Sequence, residues 1–256
     1  LMSATGNDLI RLSGGNNSIE QIKLSSGSTT SAGANIINAQ SSATIGTITA
    51  DNATINGSIN LAGTSAITNG ISFDNSTLRG DISLANSSNI ANGISLTNAS
   101  NMTGNITLAN TASIDNISIS GNNATLTGNI EMGSSKGNTA SIDNITISSG
   151  GTYAGTIHTR NQTGIGGITI ANGGVVGSVG SASTILSSGN STIHNIDIQD
   201  GGTMYGNIEA HWIKGANNEQ DSSGVSRDGN IGNVSIAGKL QGDIVVYNKV
   251  VMDSLT

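Results

Sequence analysis

Asp81–Gly104 reads DISLANSSNIANGISLTNASNMTG, and the next stretch, Asn105–Gly128, reads NITLANTASIDNISISGNNATLTG. Each holds two half-turns, and each half opens on an Ile-x-aliphatic pair. Alternation of apolar and polar residues over three to five positions, punctuated by Gly and Asn, is the pattern of a strand with one face buried, and it does not suit a helix. β-branched Ile and Thr favour the same pleated geometry. A unit that recurs at a nearly constant spacing is one supersecondary element, which buries its apolar edge against copies of itself.

The register extends outward in both directions. Gly-x-Ile/Val recurs at Gly57–Ile59, Gly80–Ile82, Gly104–Ile106, Gly128–Ile130, Gly155–Ile157, Gly177–Val179, Gly206–Ile208 and Gly242–Ile244. Successive apolar members stand 23, 24, 24, 27, 22, 29 and 36 residues apart, and looser copies start at Ile10 and Ile36. Two residues before each signature Gly lies another apolar column: Ile55, Leu78, Met102, Leu126, Tyr153, Val175, Met204 and Leu240. The second half-turn opens at Ile22, Ile48, Ile71, Ile94, Ile117, Ile145, Ile168, Ile196 and Val234. The expected fold is all-β: one right-handed, single-stranded parallel β-helix of about ten turns of roughly 23–28 residues, filling residues 1–256 as one domain and about 48 Å long at a strand spacing of ~4.8 Å. Phe73, Tyr153 and the methionines fall in inward slots. Asn in Ile114-Asp115-Asn116, Ile142-Asp143-Asn144 and Ile193-His194-Asn195 tolerates tight turns and is expected to stack as a hydrogen-bonding ladder.

Composition agrees. The chain has 36 Gly, no Pro, no Cys and only five aromatic residues. Its core must be aliphatic, and no disulfide staples it. A net charge of −7 argues against nucleic acid, which requires clustered Lys and Arg. No apolar run approaches the ~20 residues of a membrane-spanning helix. The chain begins and ends inside the repeat, which reads as a fragment of a longer protein.

Half-turns of the form G-[ND]-I-x-L…I-[DE]-N-I-x-I, without Cys or Pro, resemble the passenger of a type V autotransporter, a group that includes pertactin-like and vacuolating-toxin-like surface proteins. The resemblance covers about Ile10 to Met252 and rests on repeat style. It implies a bacterial protein exported across the outer membrane, displayed at the cell surface or secreted, and a parent chain that carries a C-terminal membrane barrel missing here. It implies adhesion or host-cell interaction, a virulence role, with a host-cell surface protein or glycan as partner. Passenger proteases carry a serine motif in an added domain, and neither G-D-S-G nor G-x-S-x-G occurs here.

Departures from the repeat mark where chemistry can sit. The gap from signature Ile to turn Ile is 8 residues in Ile82–Ile90 and Ile106–Ile114, 12 in Ile130–Ile142, 14 from Val179 to Ile193 and 23 in Ile208–Ile231. All three expansions then fall in one segment of the coil and are expected to project from one side, where solenoids build binding faces. The largest, 209–230, holds His211, Trp212, Lys214, Glu219, Asp221, Arg227 and Asp228. The chain's only Trp, flanked by charges, suits protein or carbohydrate contact. Arg79-Gly80-Asp81 is a tripeptide read by many integrins, although the repeat itself supplies Gly80 and Asp81. Outward positions after the signature Ile include Glu131, His158 and Glu209, the first two one coil apart. The acids are scattered among Ser and Thr, so neither a catalytic set, a metal site nor a cofactor is expected. The N-x-S/T triplets follow from an Asn/Ser/Thr-rich repeat. The alternatives are a polysaccharide-acting β-helix enzyme and a purely structural spacer, and open coil edges raise the prospect of self-association.

Overall fold

A computed structural model describes residues 2–3, 8–133, 137–211, 229–246 and 252–256. Among them there is no helix, and the strands of adjacent coils pair in parallel. One representative coil runs Thr125–Thr127, Ile130–Met132 and Ser141–Ser148, three sides joined by three corners. No coil closes its own hydrogen bonds between strands. Thr125–Thr127 pairs with the coils before and after it, at Asn101–Thr103 and Thr152–Ala154, and the other two sides follow the same rule.

The expected column on the second side is present in most of its length. Ile10, Ile37, Ile59, Ile82, Ile106, Ile130, Ile157, Ile185, Ile208 and Ile244 lie in vertical register, ten rungs and hence nine coil-to-coil steps. The third-side column from Ile22 through Ile117 to Val234 stacks as expected and continues to Leu255. The inward faces of all three sides merge into one core from Ile36 to Val234, with Tyr153, Phe73, Met102, Met132 and Met204 inside it. Phe73 occupies the slot that is Ala50 one coil earlier and Leu96 one coil later, so a large ring in one coil is offset by a methyl in its neighbour.

Three register assignments differ from expectation. Ile37, not Ile36, carries the second-side column, because the strand Thr29–Ala39 has irregularities on either side of Asn35. Val176, not Val175, stacks between Tyr153 and Met204. Val179 is no rung at all: it is 83 % exposed, and Ile185 pairs with both Ile157 and Ile208. The physical cause is a small excursion at Gly177, where Ser178 and Ser181 form an antiparallel bridge and the backbone turns out before rejoining the stack. Ile185 lies eight residues before Ile193, so the expansion expected after the signature Ile in this coil sits instead at the preceding corner. Only the excursions after Gly133 and after His211 leave from the same corner. The expectation that all three expansions fall in one segment of the coil is therefore corrected to two.

The corners explain the glycines and the asparagines. Gly80, Gly104 and Gly128 have φ of +157°, +151° and +141°, and a Cβ on Gly128 would stand 2.1 Å from the carbonyl oxygen of Gly104. No side chain fits there without moving the backbone. The residue after each of these glycines caps the next coil. Asp81 Oδ1 accepts the N–H of Asn105 at 2.7 Å, Asn105 Oδ1 that of Asn129 at 2.8 Å, and Asn129 Oδ1 that of Thr156 at 2.9 Å. The Asn ladder on the third side is also present but interrupted. Asn144 donates to Asn116 and Asn233 to Asn195, each at 3.1 Å, while Gly167 replaces the rung between.

Replacing Leu126, fully buried between Met102 and Tyr153, by Asp should destabilise the protein by several kcal/mol, at least about 3, because it strands a charge in an apolar column. Ser118→Ala, on the outward face, should stay within about 0.5 kcal/mol. Urea melts of both variants measure the contrast.

Candidate functional site

The alternation that builds the core also sets out the site. Directly after the rung isoleucines of four successive coils stand Glu131, His158, Leu186 and Glu209, stacked in that order. Two residues further along come Arg160, Ser188 and His211, with Ser188 paired to His211 across adjacent coils. The coil register therefore gathers two carboxylates, two imidazoles, a guanidinium and a hydroxyl on one flank.

These groups are paired. Arg160 forms an ion pair with Glu131 Oε2. His158 Nδ1 lies 3.6 Å from the same oxygen, and His158 Nε2 shares a 2.9 Å hydrogen bond with Ser188 Oγ. One coil further on, His211 Nε2 is 2.6 Å from Glu209 Oε2, while Asn207 donates to Glu209 Oε1 at 2.9 Å. Burial first, then the neighbouring Arg160 and His211 charges, push His158 down from its usual 6.5 to about 4. The imidazole is neutral near pH 7 and its ring nitrogens divide into one donor and one acceptor. Among the described residues no group of three or more acidic or imidazole side chains is placed to hold a metal ion.

Beneath this flank the core changes character. The inward slot filled by Leu61, Leu84, Leu108 and Met132 becomes Thr159, then Ser187, then Ala210. Thr159, Ser187, Ser188 and Ser191 are fully or almost fully buried. They satisfy one another: Ser191 Oγ lies 2.9 Å from both Thr159 Oγ1 and Ser187 Oγ, and accepts the N–H of Ser188 at 3.0 Å. Ser187 Oγ in turn accepts the N–H of Asn230 at 3.1 Å. This buried hydroxyl network fastens the corner from which the longest excursion leaves. The chain departs after His211 and returns at Gly229, whose N–H donates to the His211 carbonyl at 3.1 Å.

Of the residues expected in the 209–230 excursion, the structure places His211 at the foot, against Glu209. Trp212, Lys214, Glu219, Asp221, Arg227 and Asp228 lie outside the described residues. Glu131 and His158 stack one coil apart as expected, while Leu186 separates His158 from Glu209. The Arg79-Gly80-Asp81 segment does not present a free carboxylate pair of oxygens, since Asp81 Oδ1 is engaged by Asn105 and Arg79 leans on Asn56 at 3.4 Å. Arg160, Ser188 and the buried Ser187–Ser191 network went unseen in the sequence. Taking Val179 as a rung displaced the register of that coil and hid Ser187 and Ser188 from their true slots. A hydroxyl at an inward position such as Thr159, where a Leu column runs, is the signal that finds them.

No known protein family, curated protein or solved structure matches the chain.

Because the folded pKa of His158 lies below its unfolded value, the unfolded chain takes up the proton first. The His158 contribution to stability is complete above pH 6.5 and is lost as pH falls toward 4. Between these limits the wild type should lose about 2–3 kcal/mol more than His158→Gln, read from denaturant midpoints across the range. Parallel pH curves for the two proteins would contradict this assignment.

Proposed function

We propose that the chain is the β-helical stalk of a bacterial surface passenger, exported across the outer membrane, whose adhesive contact is made from one reinforced corner toward a host-cell surface protein or glycan. The observation that carries this reading is the root of the long excursion. This corner is fastened by the Thr159–Ser187–Ser191 hydroxyl network, by the Glu209–His211 pair and by the Gly229–His211 backbone bond. Reinforcement of this kind holds the ends of an inserted segment at a fixed separation, which lowers the ordering cost of binding through it.

The rod geometry supports display. Each coil is stabilised only by its neighbours, so length is added without a larger core, and the working corner can stand far from any anchor. The absence of Cys fits a chain threaded unlinked across membranes. A polysaccharide-cleaving reading finds less support: Glu131 is held by Arg160 and Glu209 by His211, on coils separated by those of His158 and Leu186, rather than converging as a free acid pair.

Replacing residues 212–228 by a short Gly-Ser turn should leave the circular dichroism spectrum and melting unchanged while abolishing binding of the purified rod to cultured cells and to glycan arrays. Retention of binding after that replacement, or no binding by the intact chain to either surface, would sink the adhesive reading and leave the spacer.

A further inference from the structure

We propose that Ser188 is a nucleophile activated by His158, with Glu131 as the positioning residue, and that this relay takes acyl groups from compact carboxylic esters. The proposal goes beyond the adhesive reading and stands independently of it.

The three residues come from three successive coils. Ser188 Oγ is 2.9 Å from His158 Nε2, and His158 Nδ1 is 3.6 Å from Glu131 Oε2. A nucleophile in hydrogen-bond reach of a base, with a carboxylate close to the other nitrogen of that base, is the arrangement that activates a hydroxyl. The tautomer follows from the surroundings. A carboxylate beside Nδ1 favours the proton there, which leaves Nε2 as the acceptor facing the hydroxyl. Ser188 Oγ has a second acceptor within reach, the Thr159 carbonyl at 3.2 Å, which Ser191 Oγ shares at 2.9 Å. The contact to His158 Nε2 is the shorter of the two at 2.9 Å, and the relay uses the Ser188 rotamer that places its proton there. Ser191 also accepts the Ser188 N–H, which fixes the serine backbone without using its side chain.

The remaining groups suit acyl transfer. Arg160 places a cation in the same cluster, and its Nε–H is buried without a hydrogen-bond partner among the described residues. Such a donor stabilises the negative charge that develops on a carbonyl oxygen. In the reaction, Ser188 Oγ adds to the ester carbonyl as its proton passes to His158 Nε2. The bond to the alcohol oxygen breaks, and the alcohol leaves with that proton. Water then attacks the acyl-serine, giving a proton to Nε2, and the acid departs as Ser188 recovers its proton. Ester and water become acid and alcohol. Ser188 is fully buried, whereas the side chains of His158 and Arg160 are 14 % and 37 % exposed. A nucleophile this enclosed restricts the relay to short acyl groups.

The test uses diisopropyl fluorophosphate on the full chain, followed by intact mass and peptide mapping. One adduct on Ser188 is expected, absent in Ser188→Ala and formed at least about 100-fold more slowly in His158→Gln, the range of a lost general base. Glu131→Gln should slow labelling and lower its pH midpoint, because it removes the carboxylate that favours the imidazolium. Arg160→Gln should raise the midpoint, near 4 in the wild type, because it removes a cation that holds His158 neutral. Circular dichroism confirms that each variant is folded. Should His158→Gln not fold, the midpoint in Arg160→Gln decides. No adduct on the folded protein, an adduct at another residue, wild-type labelling in His158→Gln, or an unmoved midpoint in Arg160→Gln would each overturn the relay.

Discussion

Every strand in this rod finds its hydrogen-bond partners one coil away, so each coil is held in place by the two that flank it. That constraint forces residues some two dozen positions apart into vertical columns at the spacing of paired strands. A column is tolerant of identity and strict about direction. Leu126 is followed by Tyr153, and Phe73 is offset in volume by Ala50 one coil earlier. An inward hydroxyl costs least where the next coil offers it a partner, as Ser191 does for Thr159.

Corners follow the same logic. At Gly104 and Gly128 the backbone of one coil lies so near the carbonyl above that a Cβ is excluded. The next residue is Asp or Asn because its side chain can accept an N–H from the following coil, as Asp81 does from Asn105. The same requirement accounts for two thirds of the integrin-like tripeptide at Arg79–Asp81. Where the corner is lengthened, at Gly177, a serine takes the glycine slot: Ser183 stacks under Gly206, and its hydroxyl accepts the Gly155 N–H.

The polar flank departs from this economy in a coherent way. Within four coils, Glu131, His158, Arg160, Ser188, Glu209 and His211 come together above a core that has exchanged Leu and Met for Thr and Ser. Burial of this many hydroxyls costs stability unless each is paired, and here Thr159, Ser187 and Ser191 pair among themselves and with backbone, while Ser188 meets His158. The patch coincides with the root of the longest excursion. Stacking alone requires neither the imidazoles nor the guanidinium, which is the physical reason to seek function at this corner rather than along the regular Ser/Thr faces.

The parallel coil, its aliphatic columns and its Gly and Asn corners were legible in the amino-acid order, because a buried face imposes period two within a strand and one repeat per turn. The Ile48–Val234 column could be read directly, since every member opens a half-turn of nearly constant form. Outward residues carry no such signal: water satisfies them in any register, so nothing in the order of residues marks Ser188 as the neighbour of His158. The coil holding Val179 shows the limit, for there a Gly-x-aliphatic match competed with the true rung at Ile185 and only stacking against Ile157 and Ile208 decided between them. The chain thus set the columns by burial, while the tertiary structure alone, by fixing how much backbone each corner takes up, decided which outward groups face one another.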